Sequence, residues 1–132
     1  MKGEIEIKVR GYHLDIYAHV NNARYVEFLE EARWAMFDDS DVGKEMFSRG
    51  YALTVVNLNV NYISEARVND VITIITDLKK FGNKSITLSQ RIYRKEDMKQ
   101  VVDAEVTFVL VNSKTGNAIV IEDEIKKILS GG

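Results

Sequence analysis

Ala23-Arg24-Tyr25-Val26-Glu27-Phe28-Leu29-Glu30-Glu31-Ala32-Arg33-Trp34-Ala35-Met36-Phe37 is the one long stretch of this chain with helical periodicity. Tyr25, Phe28, Leu29, Ala32 and Met36 recur at three- and four-residue intervals, leaving Arg24, Glu27, Glu31 and Arg33 for the opposite face. Asn21 or Asn22 supplies an N-cap. On this reading Glu30 and Arg33 pair weakly on a solvated face. Everything around the stretch has the period of two that marks a strand. Before it, Glu4-Ile5-Glu6-Ile7-Lys8-Val9 alternates strictly. After an irregular connection over Asp38–Gly50 with one short turn of helix, four segments alternate. Val56, Leu58, Val60 and Tyr62 interleave with Asn57, Asn59 and Asn61. Val71–Leu78 is rich in Thr and Ile. Ile86, Leu88 and Ile92 interleave with polar residues, and Val102–Leu110 repeats the pattern. Gly82-Asn83, Lys95–Lys99 and Lys114–Asn117 read as turns, Ala118–Ile121 as a short further strand, Ile125–Leu129 as a short helix, and Ser130-Gly131-Gly132 as a loose tail.

Hairpin turns between the late strands require antiparallel pairing. One apolar helix face and one apolar sheet face must then cover each other, which predicts an α+β domain of two layers. The chain has 132 residues, 45% of them hydrophobic, no proline and no cysteine. That suits a single domain over 1–132 that buries roughly two-thirds of its unfolded surface. Without cysteine there is no disulfide, thiolate nucleophile or Cys-ligated zinc. A net charge of −2 without a basic run argues against nucleic acid. No segment has the ~20 apolar residues of a membrane span, and the N-terminus lacks a signal-type apolar run, so the expectation is a cytoplasmic protein.

Chemistry concentrates in Gly11-Tyr12-His13-Leu14-Asp15-Ile16-Tyr17-Ala18-His19-Val20-Asn21-Asn22, immediately before the helix. A helix start carries unpaired N–H groups and about half a positive charge, suited to a developing oxyanion. A nearby carboxylate can act as base or nucleophile. A solvated capping loop, with Asp15 as an Asx-turn residue, is the plain alternative.

The run Val9–Trp34, with Asp15, His19, Val20, Asn21, Asn22 and Tyr25 in the pattern Asp-x-x-x-His-Val-Asn-Asn-x-x-Tyr, closely resembles bacterial long-chain acyl-CoA thioesterases of the thioesterase III type. More widely it is similar to the 4-hydroxybenzoyl-CoA thioesterase-like hotdog family. The likeness continues through Val55–Tyr62, Gly82–Ser85 and Val102–Val109. It implies a hotdog fold, in which an antiparallel sheet of five or six strands wraps around one long helix in a homodimer or homotetramer. It implies hydrolysis of a medium- or long-chain fatty acyl-CoA to fatty acid and coenzyme A. No cofactor or metal is expected, coenzyme A being part of substrate and product. By this likeness Asp15 is the catalytic carboxylate, nucleophile or general base. His19 is the second catalytic-site residue, expected chiefly to orient. Backbone N–H groups of Asn21 and Asn22 form the oxyanion hole. Tyr25 belongs to the core and flanks the acyl pocket, and Asn57 lies on the strand at the dimer seam. Lys84, with Lys80, Arg67 and Arg91, is a candidate for the phosphates of coenzyme A. His13 has no counterpart in the motif and reads as a plain loop residue. Other readings are an acyl-carrier-protein thioesterase, a hotdog enoyl-CoA hydratase, and a non-catalytic acyl-thioester binding module.

Overall fold

The computed structural model describes residues 1–131; Gly132, the end of the expected tail, lies outside them. The strands are β1 (Lys2–Lys8), β2 (Tyr51–Tyr62), β3 (Val71–Phe81), β4 (Ser85–Arg94) and β5 (Gln100–Asn112). The helices are α1 (Asn22–Asp38), α2 (Val42–Ser48) and α3 (Asp123–Gly131). The sheet has the order β1-β3-β4-β5-β2 and every pairing is antiparallel. α1 spans about 25 Å at the usual rise. Its N-terminal half packs with Val9, Val20, Ile72, Ile74, Ile92 and Val102. Its C-terminal end, at Met36, joins Val42 and Met46 of α2, Ile125 and Leu129 of α3, and the other half of the sheet. The core therefore runs the length of the helix, and the loop before α1 closes one end of it.

Several boundaries differ from expectation for physical reasons. The short strand expected over Ala118–Ile121 is a single bridge, Ala118 to Val111, so the sheet has five strands. The segment Asp38–Gly50 holds a full two-turn helix. α3 takes in Ser130 and Gly131, whose tail was expected to be loose; the Met1 ammonium donates to the Leu129 carbonyl at 2.8 Å and ties that helix to the chain start.

Arg33 is the main correction inside α1. It is buried, not solvated, and it bonds Gln90 of β4 rather than Glu30: Nη1 donates to Gln90 Oε1 at 3.0 Å. The reason is spacing, since Tyr25, Leu29 and Arg33 follow one another at i+4 and share the face that meets the sheet. Gln90 is fully buried and donates in turn to the Leu29 carbonyl and to Thr76 Oγ1, both at 3.0 Å. Burial pulls the Arg33 pKa below its ordinary value, opposed by the Glu30 carboxylate.

The two sheet edges are unlike. β1 faces outward with Lys2, Glu4, Glu6 and Lys8, and Glu6 pairs with Lys95 at 2.7 Å. β2, Tyr-Ala-Leu-Thr-Val-Val-Asn-Leu-Asn-Val-Asn-Tyr, has no charged residue in twelve, a register shift between Val55 and Asn57, and exposed Val55, Val56 and Tyr62. An edge strand normally carries charge or proline against pairing with another chain, and β2 has neither.

Candidate active site

The loop before α1 is built by hydrogen bonds that its polar residues make with their own backbone. Arg10 N donates to His13 Nδ1 at 2.8 Å, and the His13 ring sits edge-on to Phe28 with centroids 4.9 Å apart. His13 is therefore buried and structural, not a plain loop residue. Burial, with Arg24 as the next influence, lowers its pKa from 6.5, which keeps the acceptor nitrogen free of a proton. Beyond it Leu14 bridges Val20, Asp15 N donates to the His19 carbonyl at 2.9 Å, and Ala18 N donates to the Asp15 carbonyl at 3.1 Å. The tight reversal puts Ala18 in the left-handed region, at φ 61°. Within it Asp15 Oδ1 accepts from Tyr17 N at 2.9 Å, the Asx turn of the plain alternative reading. That bond fixes the carboxylate orientation and leaves its second oxygen without a protein donor among the described residues. The turn residue thus also lines the cavity at the start of α1.

Asp15, His19, Asn22, Tyr25, Tyr62 and Glu65 line an open cavity of about 300 Å³ at the start of α1. Two expectations narrow here. Asn21 N is not a free donor, because it donates to the His13 carbonyl at 2.9 Å; the Asn21 side chain instead caps α1, accepting from Ala23 N at 2.9 Å. That leaves the Asn22 N–H, which has no partner among the described residues and belongs to a residue lining the cavity. The His19 ring does not bond the Asp15 carboxylate. Its Nε2 lies 2.8 Å from Glu65 Oε2, while Glu65 Oε1 accepts from Arg67 Nη2 at 2.6 Å. The hydrogen bond from Arg67 is the main cause that lowers the Glu65 pKa, with His19 a lesser one.

Tyr25 is buried, and its hydroxyl accepts from Ala66 N at 3.0 Å; burial raises its pKa. Tyr62 Oη donates to the Asn22 carbonyl at 3.1 Å. Asn57 and Lys84 lie elsewhere. Asn57 is exposed beside the β2 irregularity, five residues and about 17 Å along the strand from Tyr62. Lys84 precedes β4, whose first residue pairs with Val109, while the cavity lies at the Tyr62–Val102 end of the sheet. Neither lines the cavity. Of the other cations named, Arg67 stands beside the cavity through Glu65, and Arg91 is taken up by Asp77. Sequence reading missed Glu65 and Tyr62. Tyr62 ends β2 and Glu65 lies in the connection toward β3, and nothing local in the sequence says that this end of the strand and the turn after it fold back onto the helix start.

A sheet of five antiparallel strands wrapped on one long helix, with a carboxylate, an imidazole–carboxylate pair and a free amide at the helix start, is a hotdog-fold α+β domain. The chain belongs to the thioesterase-like superfamily, whose sequence profile matches residues 9–129. It is 46% identical over 126 residues to the long-chain acyl-CoA thioesterase FadM of Escherichia coli K12, covering 96% of each chain. It is 31% identical over 107 residues to the acyl-CoA thioester hydrolase YbgC of Escherichia coli, covering 79% of each. Among solved structures, the probable thioesterase YbaW of Escherichia coli superposes with a TM-score of 0.93 over 96% of each chain, at 46% identity. No helix among the described residues is long and apolar enough to cross a membrane.

Proposed function

We propose that the protein hydrolyses medium- or long-chain fatty acyl-CoA to the free acid and coenzyme A, with Asp15 as the carboxylate that acts on the thioester. One observation carries the reading: Asp15 and Asn22, whose N–H has no partner among the described residues, line the same cavity at the start of α1. The nearly full-length similarity to FadM supports acyl-CoA as the substrate class.

In this mechanism the thioester carbonyl sits between the two groups. Its oxygen accepts from the Asn22 N–H, aided by the positive end of the α1 dipole. The Asp15 oxygen not held by Tyr17 N either attacks the carbonyl carbon or takes a proton from the water that does. On the first route collapse of the tetrahedral intermediate expels the thiolate of coenzyme A and leaves an acyl–Asp15 anhydride that water then hydrolyses; on the second, collapse of the hydroxide adduct releases the acid directly, and on either route a proton of the water ends on the thiolate. His19, braced by Glu65, positions the far wall of the cavity. No cofactor or metal enters the reaction. We further infer a cytoplasmic homodimer or homotetramer, in which the uncharged outer edge of β2 pairs with a second copy and brings Asn57 and the partner's cations toward the seam.

The test is a panel of acyl-CoAs with detection of free thiol, comparing wild type, Asp15→Ala and His19→Ala. Thiol release abolished in Asp15→Ala and only reduced in His19→Ala is the expected result. Thiol released only from acyl carrier protein, loss of enoyl absorbance without thiol, or binding without turnover would each replace this reading with one of the alternatives above.

A further inference from the structure

A backbone N–H can stabilise developing charge only if the chain around it is held still. It lies in the plane of its own peptide unit, and that plane turns only through the soft dihedrals on either side. Three hydrogen bonds fix the two peptides that meet at Asn22. The Asn21 carbonyl, in the same peptide as the Asn22 N–H, accepts from Arg24 N at 2.9 Å. The next peptide is held at both ends. Ala23 N donates to Asn21 Oδ1 at 2.9 Å, and the Asn22 carbonyl accepts from Tyr62 Oη at 3.1 Å. Of these partners only Tyr62 comes from outside the helix start, forty residues along the chain.

Tyr62 is itself well anchored. It is the last residue of β2 and pairs with Val102 of β5, and the residue after it donates from Ile63 N to the Val101 carbonyl at 2.8 Å. Its ring centroid stands 5.8 Å from that of buried Tyr25, whose hydroxyl is already taken by Ala66 N. A tyrosine has only two χ angles, so a ring held at both places is a stiff strut between strand and helix. The bond it makes is half-exposed, where water competes with it, and it adds little to folding. What it does add is a fixed direction for the Asn22 peptide at the wall of the Asp15 cavity.

We propose that Tyr62 is a positioning residue for thioester hydrolysis: its hydroxyl pins the Asn22 peptide so that the N–H meets the carbonyl oxygen as that oxygen gains charge. The chemistry rests on the hydrolysis proposed above, whereas the pin rests on hydrogen-bond geometry alone. Preorganised donors act on the transition state, so a loosened one costs rate and leaves substrate binding nearly as it was. Substrate seated in the cavity also displaces water from the hydroxyl, which strengthens the bond when it is used.

The test is Tyr62→Phe, which keeps the ring against Tyr25 and deletes one oxygen. The expected kcat on acyl-CoA is lower by about three- to tenfold with KM within about twofold, a fraction of the ~10²–10³ that losing a whole donor costs. Tm should move by less than about 4 °C. Backbone amide relaxation by NMR, without substrate, should show the order parameters of Asn22 and Ala23 falling from about 0.85 toward 0.6 while the middle of α1 stays rigid. Order parameters that do not change overturn the proposal whatever the rate does; a loss of about a hundredfold would then mean that the hydroxyl bonds the substrate itself. A looser Asn22 with unaltered kcat overturns it too, as does loosening spread along α1 with a larger fall in Tm, which would make the role merely structural. Wild type that releases no thiol from any acyl-CoA sinks the hydrolysis reading instead, and the relaxation data then decide the pin on their own.

Discussion

Replacing Gln90 by leucine tests whether the buried polar network is what holds α1 to the sheet. Gln90 is fully buried, accepts from Arg33 and donates to the Leu29 carbonyl and Thr76 Oγ1. Leucine fills nearly the same space but offers no hydrogen bond, so cavity formation contributes little. The lost bond to a charged donor is worth about 1.5–3 kcal/mol, and each neutral bond about 1 kcal/mol. Stranding a buried guanidinium falls in the same range, about 3–5 kcal/mol. A domain of this size has a total stability of about 5–15 kcal/mol, so the variant should be severely weakened. At the usual unfolding entropy per residue, the Tm falls by about 10–18 °C. The companion Arg33→Met/Gln90→Leu variant removes both partners and should recover the part of the loss that comes from the stranded guanidinium, while the Leu29 carbonyl and Thr76 Oγ1 still lack the donor that Gln90 supplied. Urea unfolding of wild type, the two single variants and the double variant closes the cycle. A loss below about 1 kcal/mol in Gln90→Leu, or a double variant less stable than either single one, would refute this account of the network.

Other predictions concern the site loop. His13 is neutral in the fold, with its pKa below 6.5. Its contribution is therefore complete above pH 6.5 and is lost as pH falls from 6.5 toward the lowered folded value, because the unfolded chain binds the proton more readily there. Wild type should lose urea resistance between pH 7 and pH 5.5, and His13→Phe, less stable at pH 7 by about 1 kcal/mol, should lose that part of the slope. Glu65 has a depressed pKa, so its pairing persists above the ordinary carboxylate value of 4.5 and fails only as pH falls through the lower folded value. Arg67→Ala should move the Glu65 titration, followed by carboxyl NMR, upward toward 4.5; an unchanged titration would show that Arg67 is not the main cause. Asn21→Ala removes the cap of α1 and should cost about 1 kcal/mol on thermal unfolding. It should also lower thioester turnover, since the adjoining Asn22 N–H loses its fixed direction.

Local periodicity carried most of the architecture. The alternation in β1 and β2–β5 and the i, i+3, i+4 recurrence from Tyr25 to Met36 are properties of neighbouring residues, and they specify strands, helix and the faces that must meet. The cluster from His13 to Asn22 is equally local, which is why the cap, the Asx turn and the position of Asp15 before α1 were legible. What tertiary structure alone decided depends on groups far apart in the chain. Arg33 looked like a surface residue until Gln90, fifty-seven positions away, supplied an acceptor inside the sheet. His19 had several conceivable partners in its own loop, but the one it meets is Glu65, brought back by the turn after β2. Asn21 lost its N–H to His13, so the free donor at the helix start is Asn22. Patterns of burial repeat with the geometry of a helix or strand and can be read along the chain. The partner of a buried charge or an unpaired amide is settled only when distant segments come within 3 Å of each other.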